Sequence, residues 1–189
     1  MLLPVAVLCL NTICRGQQLA VKSNLLYDAT ATINLGAEFG FGKKWSLDVS
    51  GNLNLWTFKG NRKMKHVMLQ PEARYWLCEV FNRSFLGLHV LGGDLNFGNI
   101  DIPVCLPGID LRKLKDSRVE SWFVGAGVAY GYSWILSGRW NLEATLGLGY
   151  VRFDYDRYEC HDCGDYMGKG VKNYFGVTKA GITLSYIIK

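Results

Sequence analysis

The feature that most limits the fold is a two-residue period running through residues 119–155. From Trp122 to Trp134 the chain reads W-F-V-G-A-G-V-A-Y-G-Y-S-W. Trp122, Val124, Ala126, Val128, Tyr130, Tyr132 and Trp134 share one parity; Phe123, Gly125, Gly127, Ala129, Gly131 and Ser133 share the other. Side chains alternate across a strand, so one face is apolar and aromatic and the other mostly small. After Leu136-Ser137-Gly138 the period resumes. Trp140, Leu142, Ala144, Leu146, Leu148 and Tyr150 now oppose Asn141, Glu143, Thr145, Gly147 and Gly149. A long hairpin across a Gly-containing turn is predicted. Each strand exceeds the mean soluble strand of about 5–6 residues. Apolar residues outside, with aromatics at both ends and small or polar ones inside, is the pattern of a membrane-crossing β-hairpin.

The same alternation predicts strands over residues 19–28, 33–41, 45–57, 66–77, 85–97 and 174–188, eight in all with the hairpin. Pro71 sits inside the fourth, where a bulge or a missing ladder bond is expected. The connections at 42–44, 78–84 and 136–138 are short. Of the others, that through 30–32 is short, that at 59–65 moderate, and those at 98–118 and 156–172 long and polar. Short turns on one rim and longer loops on the other mark outer-membrane barrels, with both termini of an even-stranded barrel on the short-turn, periplasmic side. Trp45, Tyr75, Trp134, Trp140 and Tyr186 lie outward beside the short turns or the C-terminus and would form one interfacial belt; Tyr27, Trp122, Tyr150 and Tyr174 lie near the opposite rim. Trp56 and Trp76 have inward parity and fit neither belt.

The totals exclude other classes. No run of about 18 apolar residues occurs, so a bundle of membrane helices is ruled out. The formal net charge of +5 is spread along the chain, and the basic concentrations at 62–65 and 112–118 lack interleaved aromatics, so nucleic acid is not an expected partner. At 189 residues one barrel fits with little to spare. Residues 1–16 read as a signal peptide with its basic start missing, leaving 17–189 as the barrel; with Ile13 before Cys14, lipidation is not expected. The chain ends at strand eight, so no peptidoglycan-binding domain is expected after it.

In an eight-stranded barrel side chains just fill the interior. Inward parity places Lys22, Asn24, Glu38, Asp48, Glu72, Arg74, Glu143 and Lys179 there. They are expected to cross-pair, because an unpaired charge in a narrow interior is costly. The inward glycines of strands six and seven make room for long neighbours, and a plugged barrel rather than a channel is expected. In the last long loop, Cys160-His161-Asp162-Cys163 has the spacing of a metal or redox site. In an exported chain a disulfide stapling the loop, or free thiols, is the expected use, with the pairing open between Cys160–Cys163 and Cys105 with either. His89 falls inward with no Ser on its strand, and reads as a barrel-lining residue. Neither a catalytic set nor a cofactor or metal site is assigned.

Two stretches carry a family resemblance: V-K-S-N-L-L-Y-D-A-T from Val21 with N-L-G-A-E-F-G-F-G-K-K-W-S-L-D from Asn34, and Q-P-E-A-R-Y-W-L-C from Gln70 with Gly87-Leu88-His89. They resemble an uncharacterised Bacteroidetes family, a domain of unknown function numbered 3575, across nearly the whole mature chain. The resemblance implies a small OmpA-type barrel with an envelope or fimbria-associated role and carries over no catalytic residue. The end, Tyr186-Ile187-Ile188-Lys189, lacks a terminal Phe, leaving Tyr186 as the aromatic for the insertion machinery. The expectation is therefore a non-enzymatic barrel of the bacterial outer membrane, with lipid around it and a surface or fimbrial protein at its loops. The rivals are a lipid-modifying barrel enzyme and a soluble lipocalin-like carrier, whose apolar face would point inward.

Overall fold

The computed structural model describes residues 18–58, 62–98, 105–106, 109–110, 117–159 and 166–188. Eight long strands follow one another: β1 (Gln18–Asn24), β2 (Ile33–Phe41), β3 (Trp45–Asn54), β4 (Arg62–Trp76), β5 (Arg83–Gly98), β6 (Ser117–Ile135), β7 (Trp140–Glu159) and β8 (Tyr166–Ile188). Each pairs antiparallel with its sequence neighbours, and β8 returns to pair with β1, so the sheet closes into a ring. Two-residue strands Cys105–Leu106 and Ile109–Asp110 pair with each other outside it.

The registers fix how the ring closes. Stepping across partners from Ala20, the path runs through Glu38, Asp48, Glu72, His89, Gly127 and Gly149 to Gly176 on β8. Ala20 also pairs directly with Ile187, so the two arrivals on β8 differ by 187 − 176 = 11 residues. Closing a sheet demands such a stagger, with strands tilted roughly 35–45° from the axis. One of those positions is an extra residue. Between Gly147↔Lys179 and Leu148↔Val177 the register shifts, leaving Thr178 as a β-bulge. A bulge reverses the faces beyond it. Ala180 and Ile182 point outward below it, whereas Phe175 and Val177 point outward above it and Tyr174 is buried.

The apolar parity faces outward: Val124, Leu146 and Ile182 are 48%, 58% and 42% exposed, while Glu72 and Glu143 are fully buried. Two apolar layers lie inside the ring. Ala20, Trp76, Phe81 and Phe85 fill the short-turn end; Leu91, Phe123, Val151 and Tyr174 form the other layer, toward the loop end.

Several boundaries depart from the alternation. β1 stops at Asn24, not at 28, because Asn24 accepts the Leu26 N–H (3.1 Å) and caps a helical turn, α1 (Leu25–Ala29). β3 stops at Asn54 and not at 57; Thr57–Phe58 pairs separately with Lys63 and Arg62, which extends β4 into the stretch expected as a basic connection. At Pro71 there is a missing bond rather than a bulge: the ladder to β5 lapses between Leu69↔Gly92 and Glu72↔His89 and resumes in the same register. The loop expected at 156–172 is mostly strand, since β7 continues to Glu159 and β8 begins at Tyr166. Tyr174 does not join the outward aromatics near the loop rim, because the bulge turns it inward. The leader expected at residues 1–16 lies outside the described residues.

Candidate functional site

Arg74 organises the interior. β4 delivers it inward two residues after Glu72, and its guanidinium is enclosed by carboxylates from four strands. Nη1 donates to Glu38 Oε2 (2.7 Å) and Glu143 Oε2 (3.1 Å), Nη2 to Asp48 Oδ2 (2.6 Å), and Nε to Glu72 Oε1 (2.6 Å). The planar fork suits this role, because a Lys ammonium is a point charge without paired parallel donors. The Phe85 ring lies 4.4 Å from the guanidinium carbon and closes its remaining face.

Two lysines complete the network. Lys22 bonds Glu143 Oε2 (2.7 Å) and Glu38, and Lys179 bonds Glu72 Oε2 (3.0 Å) with Asp48 Oδ2 at 3.7 Å. Lys179 is the most exposed member of the network, at 12% of its side chain. Ser46 and Ser185 donate to Glu38 and Glu143, and Trp76 Nε1 donates to Ser46 (2.8 Å). The seven charged side chains thus form one connected set of three cations and four carboxylates, summing to 3 − 4 = −1. The glycines facing it leave space for particular neighbours. A Cβ on Gly87 would stand 2.7 Å from Glu72 Cδ, and one on Gly127 would stand 2.8 Å from His89 Nε2.

His89 sits between the network and the loop-side apolar layer. Its Nε2 is 2.9 Å from Thr178 Oγ1, and its Nδ1 is 3.6 Å from Glu72 Oε2, with no hydrogen-bond partner among the described residues. Hydroxyl, imidazole and carboxylate are therefore neighbours, an adjacency that parity alone missed because the bulge turns Thr178 inward. As a nucleophile–base set it is incomplete. Glu72 is already bonded to Arg74 and Lys179, and the imidazole is not oriented by it. Toward the loop rim a cavity of about 410 Å³ is lined by Lys65, His66, Asp94, Glu120, Asp154 and Asp156 among others. Beside Asp48 and Arg74 only about 30 Å³ remains.

The belt residues stand on the outer face of the short-turn end. Trp45 and Tyr75 meet edge to face at 5.1 Å, as do Trp140 and Tyr186 at 4.9 Å, and Trp134 is exposed nearby. Trp76 is fully buried in the short-turn layer, and Trp56 is exposed with its Nε1 donating to Ala31 O (2.7 Å). Sequence reasoning missed Phe81. It enters the interior from the 78–84 connection through a positive φ of 66°, and its carbonyl accepts from Asn141 Nδ2 (2.7 Å). Cys160 and Cys163 lie outside the described residues, and Cys105 begins the short strand Cys105–Leu106. Among the described residues no group of three or more His, Cys, Asp or Glu is placed to hold a metal, and no helix is long and apolar enough to cross a membrane.

Fold and site together define a class: an all-β chain of eight antiparallel strands in a ring-like sheet, apolar outside and ionic inside. Within that class, the chain belongs to the family described as Protein of unknown function (DUF3575), which it matches over residues 2–188. Comparison with curated proteins and with solved structures gave no match.

Proposed function

We propose that this chain is a non-enzymatic outer-membrane β-barrel, OmpA-like in build, from the envelope of a Bacteroidetes bacterium. Its outer face is solvated by lipid, its interior is plugged by the Arg74 network, and its loop rim meets a surface or fimbrial partner. The observation that carries this reading is the inversion of polarity. Leu35, Leu88, Val128 and Leu146 are each more than half exposed, while seven charged side chains are bonded to one another inside. In water such an outer face is an aggregation hazard far beyond the patches monomers tolerate; in hydrocarbon it is the stable arrangement.

The backbone agrees. A sheet in lipid needs every donor and acceptor paired, and closure removes the edges. The weak place is where β1 stops short beside β8. There Asn24 Nδ2 donates to Ala180 O and Gln70 Nε2 to Thr178 O (both 3.4 Å), and α1 carries Leu25 and Leu26 exposed. The reading is tested by alkaline carbonate extraction and by heat-dependent mobility on a denaturing gel. A membrane barrel stays in the carbonate pellet and migrates differently before and after boiling; release into the supernatant overturns the reading. A soluble carrier is disfavoured because its interior would have to be apolar. The contact between His89 and Thr178 is the one observation favouring a lipid-modifying enzyme, and an unchanged lipid A profile in cells carrying His89→Ala would remove that alternative.

A further inference from the structure

The ring does not rise evenly at its loop rim. β1 ends at Asn24 and β2 begins at Ile33, whereas β6, β7 and β8 run 19, 20 and 23 residues. β8 is paired along both edges only from Thr183 to Ile188, where it meets β1. At Thr178 and Ala180 the side chains of Gln70 and Asn24 occupy carbonyls of the second edge. Farther up, residues 166–177 pair with β7 alone, and among the described residues no strand pairs with their other edge. Phe175, 73% exposed, is the partner of Tyr150, one of the aromatics nearest the loop rim. On the proposed membrane reading, residues 166–174 project beyond the apolar band, where water and not lipid surrounds them.

An edge in water that no described strand pairs with is a template for another strand. Over residues 166–177 this one carries Lys169 and Lys172 and no acidic residue. Two copies pairing edge to edge would set lysines against lysines, which like charges on adjoining strands disfavour. An acidic strand gains instead. Lys169 and Lys172 are three apart, so they point to opposite faces, and a complementary strand needs carboxylates at the same odd spacing, one on each face.

We propose that residues 166–174 of β8 form a strand-addition site for an extended acidic segment of a surface protein, which lengthens the sheet by main-chain hydrogen bonds and is selected by carboxylates opposite Lys169 and Lys172. The inference rests on the proposed membrane reading for the side on which the edge stands. The test uses the purified full chain in detergent and two labelled peptides of alternating Thr and Val, one with two Glu three residues apart and its twin with Lys there. The Glu peptide binds, and the Lys peptide binds about tenfold more weakly. The variant carrying Lys169→Glu and Lys172→Glu reverses that preference while keeping its heat-dependent mobility. In residues 166–174, the amides that face away from β7 exchange fast in the free protein and slow with the Glu peptide. No binding at millimolar peptide, an unchanged preference in the charge-swapped variant, or edge amides already protected in the free protein overturns the proposal. A chain released by carbonate that still binds the Glu peptide defeats the membrane reading alone; one that stays in the membrane and binds neither peptide defeats this inference alone.

Discussion

Replacing Arg74 by Met removes the hub of the interior while keeping most of its bulk. The structure sets the size of the effect. Four carboxylates lose a donor at 2.6–3.1 Å, and the interior sum falls from −1 to 2 − 4 = −2. Breaking one buried ion pair costs about 3–5 kcal/mol. The loss here does not reach four times that, because Lys22 still holds Glu38 and Glu143 and Lys179 still holds Glu72. We therefore expect about 3–5 kcal/mol in total. With a urea slope of about 2 kcal/mol per molar, the unfolding midpoint of the detergent-folded chain falls by about 1.5–2.5 M, read by tryptophan fluorescence. Adding Glu72→Gln restores the sum to 2 − 3 = −1. The double variant should recover at least ~1.5 kcal/mol relative to the summed single losses. A loss below ~1 kcal/mol for Arg74→Met, or strict additivity in the double, would refute the reasoning.

Other substitutions probe the packing and the bulge. Gly131→Ala places a Cβ against the Phe85 ring, whose Cε1 would lie 2.7 Å away, whereas among the described residues nothing stands within 4 Å of a Cβ at Gly138. The first is expected to cost about 1–3 kcal/mol and the second under ~0.5 kcal/mol, by the same urea midpoints. In a background with the native cysteines replaced by Ser, Val171→Cys should react with a water-soluble maleimide several-fold faster than Tyr174→Cys. The reverse order would mean that no bulge at Thr178 inverts the faces.

The two-residue period carried most of the fold because a closed ring has two faces with opposite chemistry, and parity alone sorts residues between them. Ile33–Phe41 and the turn after it are legible for that reason, with Gly42 supplying the positive φ of 76°. Parity likewise groups Glu72, Arg74 and Glu143. It does not say which acid meets which base, since Lys22 and Glu143 lie 121 positions apart and join only through the stagger of the ring. The bulge at Thr178 was hidden, as Val177-Thr178-Lys179 contains neither Gly nor Pro and Tyr174-Phe175 places an aromatic on either parity. Phe81 was hidden too, because a loop residue has no parity. The upper parts of β7 and β8 read as loop because strands projecting from an apolar band no longer need apolar residues on alternate positions, yet main-chain pairing continues through Tyr158↔Tyr166.

The claim on which the account turns is that the outer face meets hydrocarbon, and Leu146→Arg in lipid vesicles tests it most directly. Leu146 lies on the outer face between Trp140 and Tyr150 and is 58% exposed. If lipid surrounds it, the substitution lowers the unfolding free energy by about 2–4 kcal/mol. If water surrounds it, a change at so exposed a position stays within ~0.5 kcal/mol, and that result would contradict the account.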